Sequence, residues 1–251
     1  MMKKINLFIG NILLSSFFVN IFYFFFFKKY INFHNFKVLT KNIDKKNYFR
    51  LFFNFYEKAE ITLINKYFDA IDTIELGSGI GCVSGLFKIK FIKKKFKQIM
   101  VEANDENILL ARKNFYYNNI KKNFFFLNKI FVSNHKNRFL DFKKNKIDFL
   151  QGKIEENSQN KKVKSCFVTI DQIIKKFKLK LFNAIIDIEG EEFNFSYKDF
   201  LYFKNCQKLV IEIHSNNYVL IKKLLYSFHK ISNLRLKDQI GFVYYLQNSH
   251  E

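Results

Sequence analysis

Five carboxylates and a histidine stand where this 251-residue chain could build chemistry. Glu75, Glu102, Asp187, Glu189 and Glu212 each sit at or near the end of an apolar run, and His214 follows the last of those runs. If the runs are strands, side chains two apart share a face, so Asp187 pairs with Glu189 and Glu212 with His214. In a parallel α/β sheet, ligands sit beyond the carboxyl ends of the central strands. Asp187 or His214 placed there can take a proton from a hydroxyl. The same acids can instead hold a divalent metal that lowers the pKa of an acceptor. Mixed Asp, Glu and His donors do not identify the ion, and the spacing does not require one. Each residue also has a structural reading: Asp187 as a cap, Glu189 as charge at a helix start near Asn194, Glu212 in an ion pair with lysine, and His214 as a satisfied strand-end histidine.

A second constellation lies upstream. The chain has eight glycines, and four of them (Gly77, Gly79, Gly81 and Gly85) fall within Thr73–Gly85. Glycine permits positive φ and close ligand approach to the backbone. An apolar run, Ile71 to Leu76, enters the window and a helix-compatible run leaves it, which is the layout of a nucleotide-binding crossover. The Gly-x-Gly-x-Gly spacing fits the dinucleotide fingerprint in neither register. Glu75 precedes the turn and suits a positively charged ligand rather than a pyrophosphate. Glu102 ends the next strand, 27 residues after Glu75, and is placed to accept hydrogen bonds from both ribose hydroxyls. S-adenosylmethionine, with its ammonium and sulfonium charges, fits this set. The expected cofactor contacts are Glu75, Gly77, Ser78, Gly79, Gly81, Glu102, Ala103 and Asn104.

Glu75-Leu-Gly-Ser-Gly-Ile-Gly81 resembles the first motif of Rossmann-like S-adenosylmethionine-dependent methyltransferases, and Val101-Glu-Ala-Asn104 resembles their acidic second-strand motif. Thr169-Ile-Asp171, Ile185-Ile-Asp-Ile-Glu-Gly-Glu-Glu192 and Val210-Ile-Glu-Ile-His214 resemble the FkbM family of methyltransferases. The resemblance covers roughly residues 70–247. It implies a doubly wound, mainly parallel seven-stranded α/β sheet of class I methyltransferase type. It also implies methyl transfer to a hydroxyl of a sugar, glycan or secondary-metabolite intermediate. Two departures stand out: the family's usual lysine is Ile185, and its usual alanine is Glu191.

The elements that must position these residues read as follows. Apolar residues at helical spacing from Tyr48 to Phe68 predict one helix. A helix follows the glycines from Cys82 to about Lys97, then a strand over 98–103. Asn104 or Asp105 caps the next helix, which runs to about Tyr117. A third apolar run spans Asn123–Val132, followed by a hairpin turn at 134–137 and a return strand at 138–142. Residues 143–163 read as irregular. Val168-Thr-Ile-Asp171 ends a short strand, and Asp171 is expected to cap a helix over 172–178. Strands over 181–188 and 209–213, a helix over 218–230 and a final strand over 241–246 complete the sheet.

Two divisions are expected. Residues 1–48 form an N-terminal hydrophobic helix and a connecting stretch over 28–48, and residues 49–251 form the methyltransferase domain. Ile5–Phe27 carries no charge over 23 positions. Its 16 Leu, Ile, Val and Phe residues give roughly −6 kcal/mol on an insertion scale, opposed by several polar residues. Spanning or lying on a membrane, or packing as an ordinary helix, are all open readings. The net charge is +21, yet of 43 basic residues only four are arginine, and there is no proline or tryptophan. That bias toward lysine, with phenylalanine, isoleucine and asparagine, is read as codon composition, so a nucleic-acid partner is not expected. Three widely spaced cysteines form no metal knuckle or disulfide framework and point to a reducing, cytoplasmic setting, with membrane association through residues 5–27 as the variant. The other functional readings are methylation of nucleic acid or protein, and a non-catalytic nucleotide-binding scaffold at a membrane.

Overall fold

A computed structural model describes residues 16–133, 140–144, 152–156 and 167–249. Helix α1 (Ser16–Phe26) is followed by the hairpin β1 (Tyr30–Phe33) and β2 (Phe36–Leu39), α2 (Lys45–Phe52) and α3 (Lys58–Tyr67). Then come β3 (Thr73–Leu76), α4 (Cys82–Lys90), β4 (Gln98–Glu102), α5 (Asp105–Tyr117), β5 (Phe124–Asn128) and the two-residue β6 (Ile130–Phe131). Strands β7 (Leu140–Lys144) and β8 (Gly152–Glu156) form a hairpin, and β9 (Phe167–Val168) pairs with β6. The chain closes with α6 (Ile170–Phe177), β10 (Phe182–Ile186), α7 (Tyr197–Tyr202), β11 (Cys206–Glu212), α8 (Tyr218–Ser232), β12 (Leu234–Ile240) and β13 (Val243–Asn248).

The central sheet has seven strands in the order β12-β13-β11-β10-β3-β4-β5. Strands β5, β4, β3, β10 and β11 are parallel neighbours, and β13 is antiparallel to both β11 and β12. This is the doubly wound α/β sheet with the Rossmann-like strand order of class I methyltransferases. The chain leaves β3 toward β4 and β5, then returns to β10 on the other side. The switch point therefore falls between β3 and β10, where a crevice opens at the carboxyl ends.

Period-two alternation divides the core between the two faces. Ile74, Leu76, Ile99, Val101, Ala184 and Ile186 point to the face covered by α6 to α8. Met100, Ile185 and Val210 point to the face covered by α3 to α5 and by the N-terminal hairpin. Ile185, in the position of the family's lysine, is thus a core residue, 2% exposed.

Residues 28–48, expected as a connecting stretch, contain the β1–β2 hairpin and the first turn of α2. Phe33, Phe36 and Val38 are wholly buried, and the Phe36 ring lies directly over Gly85 of α4. Alternating apolar residues in Ile31–Leu39 carried this signal. Asn114 ties the hairpin to the glycine turn: its side chain accepts from Leu39 N–H at 2.8 Å and donates to the Ile80 carbonyl at 3.0 Å. Asn114→Ala leaves two buried backbone groups unpaired. It is expected to cost about 3 kcal/mol in urea unfolding.

Other expectations shift. The single helix predicted over Tyr48–Phe68 is two, broken at 53–57. The helix after the glycines stops at Lys90. The return strand predicted near 138–142 pairs with β8, inside the stretch read as irregular, rather than with the third apolar run; the turn at 134–137 lies outside the described residues. Thr169, not Asp171, caps α6. Asp171 sits in the first turn, accepting from Thr169 Oγ1 and pairing with Lys175 at 3.2 Å. Strand β12 was missed because its sequence, Leu-Arg-Leu-Lys-Asp-Gln-Ile, is mostly polar and exposed. Of the uncharged stretch 5–27, residues 5–15 lie outside the described residues, and no helix among the described residues is long and apolar enough to cross a membrane.

Candidate active site

The glycine turn begins where β3 ends. Gly77 and Ser78 donate their N–H groups to the Val101 carbonyl at 2.9 and 3.0 Å, and Asp187 N–H donates to the Leu76 carbonyl at 2.9 Å. Gly77 has φ +80°, and a Cβ built there would lie 1.6 Å from the Asp187 carbonyl oxygen. Only glycine lets the turn and the end of β10 come this close. Gly79, at φ +50°, directs its N–H to Glu102 Oε2 at 2.8 Å, while Glu102 Oε1 accepts from Asn104 N–H at 2.7 Å. Burial pushes the Glu102 carboxyl up to about 7, against the lowering effect of those two N–H donors.

A cavity of about 480 Å³ opens at this edge. Gly77, Gly79, Glu102 and Ala103 line it, together with Asp187, Glu189, Glu212 and His214. The remaining predicted cofactor residues are set back from it. Glu75 is buried, accepts from Ser84 Oγ on α4, and is reached through Ser84 by Gln98. Its carboxyl is held well above the usual range by burial and by Asp187 and Glu102. Asn104 caps α5, accepting from Glu106 N–H at 3.0 Å. Gly81 starts α4, and the Ser78 hydroxyl is buried without a hydrogen-bond partner.

His214 is the hub of the latter group. Its Nε2 lies 3.5 Å from Asp187 Oδ1, 3.6 Å from Glu189 Oε2 and 3.9 Å from Glu212 Oε1. Its Nδ1 lies 3.6 Å from Glu192 Oε1, which also accepts the His214 backbone N–H at 2.7 Å. Glu192 is wholly buried and is itself oriented by Gly190 N–H at 2.8 Å. Burial opposes charge on the imidazole, but Glu192 and then Asp187, Glu189 and Glu212 outweigh it and raise its pKa to about 9. Glu189 arrives differently from expectation. Strand β10 stops at Ile186, and left-handed backbone at Glu189 (φ +52°) and Gly190 (φ +102°) brings the carboxylate round. Glu191, the second departure from the family pattern, is absent from the cavity lining and accepts from the Asn194 side chain.

No protein-family model matches the sequence, and no curated protein does. Among solved structures, the chain is similar in shape to the methyltransferase FkbM from Methylobacillus flagellatus KT, at 16% identity and TM-score 0.48, over 79% of this chain and 52% of that one. It is also similar to the StiE O-MT, at 10% identity and TM-score 0.43, over 77% of this chain and 56% of that one. The human methyltransferase 10 domain containing protein matches at 12% identity and TM-score 0.43, over 76% of this chain and 80% of that one. The chain spans little more than half the length of the first two.

Among the cavity residues that escaped sequence reasoning are Tyr56, Glu57 and Glu60. They lie where one continuous helix was expected. Left-handed backbone at Asn54 (φ +57°) and Glu57 (φ +44°) breaks it and turns these side chains inward. Without proline or glycine there, the only sequence signal was Asn54, a residue that tolerates this conformation. Glu60 is buried, and burial with the neighbouring Glu212 pushes its carboxyl up to about 8. Burial and Glu60 raise Glu57, and burial, Glu212 and Glu57 raise Asp187. The lining carries six carboxyl groups (Glu57, Glu60, Glu102, Asp187, Glu189 and Glu212) and three cationic side chains, Arg50, Lys58 and Lys129. Among the described residues no lysine or arginine forms an ion pair with Glu57, Glu60, Asp187 or Glu212.

Proposed function

We propose that this protein is an S-adenosylmethionine-dependent methyltransferase that methylates a hydroxyl group of a sugar, glycan or secondary-metabolite intermediate. One observation carries the reading: the glycine turn and Glu102 share a single cavity, at the sheet's switch point, with Asp187, Glu212 and His214. The residues fit the cofactor. Space beside Gly79 is open, the nearest atom to an added Cβ being the Tyr56 hydroxyl at 3.6 Å. The Glu102 carboxylate faces the cavity with lone pairs left for two ribose hydroxyls. The remaining carboxylates favour a cationic ligand. When bound, S-adenosylmethionine supplies an electrophilic methyl group on a sulfonium sulfur.

The chain's own part is to hold the acceptor and take its proton. His214 Nε2 or the Asp187 carboxylate is the base, and Glu192 positions His214 by accepting its backbone N–H, with the carboxylate 3.6 Å from Nδ1. Asp187, Glu212 and His214 can also place donor atoms within 4.8 Å of one another, and Asp187 Oδ1 is buried without a hydrogen-bond partner, so these three would hold a divalent ion if one is used. The ion's contribution would be to lower the pKa of the acceptor hydroxyl. The motifs at 185–192 and 210–214 support a place near the FkbM methyltransferases.

Calorimetric titration with S-adenosylmethionine tests the reading. Wild type should bind, and Glu102→Ala should bind about a hundredfold more weakly through loss of two charge-assisted hydrogen bonds. Absence of binding by the wild type would end the proposal. The proton step has its own signature. His214 holds its proton until about pH 9, and the neutral imidazole is the base. The rate constant kcat/KM should therefore climb about tenfold per pH unit and level off above that value, with the climb flattened in His214→Ala.

A further inference from the structure

Helix α1 turns two aromatic faces to different surroundings. Phe22 packs on α2 with ring centroids 5.1 Å from Phe49 and 4.9 Å from Phe52, and Tyr23 packs on Tyr48 at 5.0 Å. On the outer face Phe17, Phe24 and Phe25 are 69%, 80% and 71% exposed, with Phe18 and Ile21 beside them. The aromatic surface continues past the helix. Phe22 touches Phe53, Phe53 stacks on Phe55 at 6.3 Å, and both Phe53 and Phe55 are exposed. Phe55 also lines the cavity, so this surface reaches the cavity mouth. Exposed phenylalanines on α1 and on the turn after α2, with Phe22 between them, mark a contact with something apolar.

Charge says what that contact is. Lys45 bonds Asn20 of α1 at 2.8 Å and lies over the Tyr23 ring, Lys46 follows it, and Lys58 lies over the Phe55 ring, while the one acid between residues 28 and 56 is Asp44. Asp44 is occupied as the cap of α2, accepting from the N–H groups of Lys46 and Asn47. A second copy docked on this face would set one group of cations against another. An anionic lipid surface complements both features: headgroups take the lysines and the acyl boundary takes the phenylalanines.

We infer that α1 and the turn after α2 seat this protein on an anionic lipid surface, lying along the interface with the cavity mouth at the edge of the contact. This does not depend on the methyltransferase reading and is tested without cofactor. The full chain is floated with phosphatidylcholine vesicles containing about 30% phosphatidylglycerol, and with phosphatidylcholine alone. The wild type should float with the anionic vesicles and far less with the neutral ones. The Phe17→Ser, Phe24→Ser, Phe25→Ser triple variant should lose at least about tenfold in bound protein, with an unchanged circular dichroism spectrum. Lys45→Glu, Lys46→Glu should lose binding too, and that variant carries the test if the triple variant misfolds. A wild type that stays below the vesicles, equal binding to both vesicle types, or undiminished binding by Lys45→Glu, Lys46→Glu would overturn the inference. So would a wild-type dimer in gel filtration that the triple variant dissolves, with no vesicle binding by either.

Discussion

Replacing Gly77 with alanine is expected to remove cofactor binding and destabilise the fold together. The added methyl group would sit 1.6 Å from the Asp187 carbonyl oxygen, well inside any permitted contact, at a residue whose φ of +80° already disfavours a side chain. Neither neighbour can yield cheaply. Asp187 N–H is bonded to the Leu76 carbonyl, and Gly77 N–H to the Val101 carbonyl, so a shift of either backbone breaks bonds on both sides of the switch point. The combined strain and overpacking should cost about 2–4 kcal/mol, read as a fall in Tm and in the urea midpoint. Titration of the folded fraction should show no binding of S-adenosylmethionine. Gly79→Ala is the informative contrast. Its added methyl group meets nothing closer than 3.6 Å, so stability should fall by only about 1 kcal/mol for the left-handed φ. A Gly77→Ala protein as stable as the wild type would show that the turn and the end of β10 do not meet as described.

The largest effect on turnover should come from Asp187→Asn and His214→Ala. Each is expected to lower kcat by about 10²- to 10⁴-fold while leaving cofactor affinity within a few-fold, since the proposed cofactor contacts are Gly79 and Glu102. Asp187→Asn keeps the shape and removes the charge 3.5 Å from His214 Nε2. It should therefore also lower the imidazole pKa from about 9, moving the pH–rate profile to lower pH. His214→Ala removes the group on which four carboxylates converge. The two effects should not add, since both variants disable one proton relay. Full activity of both variants on a true acceptor would show that the chemistry is elsewhere.

Much of this arrangement is legible in the sequence, for a physical reason. The β3-turn-α4 unit is local: an apolar strand, glycines where φ must be positive, and a helix start all lie within Thr73–Lys90. Buried parallel strands are apolar on both faces, so β4, β10 and β11 announce themselves, and polar residues at their ends stand out against them. Asp187, Glu189, Glu212, His214 and Glu102 could be picked out this way, and they do meet in one cavity. Strand β12 and the β1–β2 hairpin were harder: one is polar and exposed, the other lies in a stretch rich in lysine and asparagine.

What the sequence could not supply is distance between elements far apart in the chain. Nothing local places Glu60 against Glu212, or Glu57 near Asp187, because those contacts depend on how α3 lies across the ends of β10 and β11. Nor could it separate Glu102, which faces the cavity, from Glu75, which the pleat turns toward Ser84 and the helix layer behind. The side-chain types and their periodicity determined the sheet, the glycine turn and the acids at its edge. Only the packed structure decided which acids share one cavity, since the folding of the sheet about its switch point, rather than any spacing along the chain, brings those carboxylates onto a single histidine.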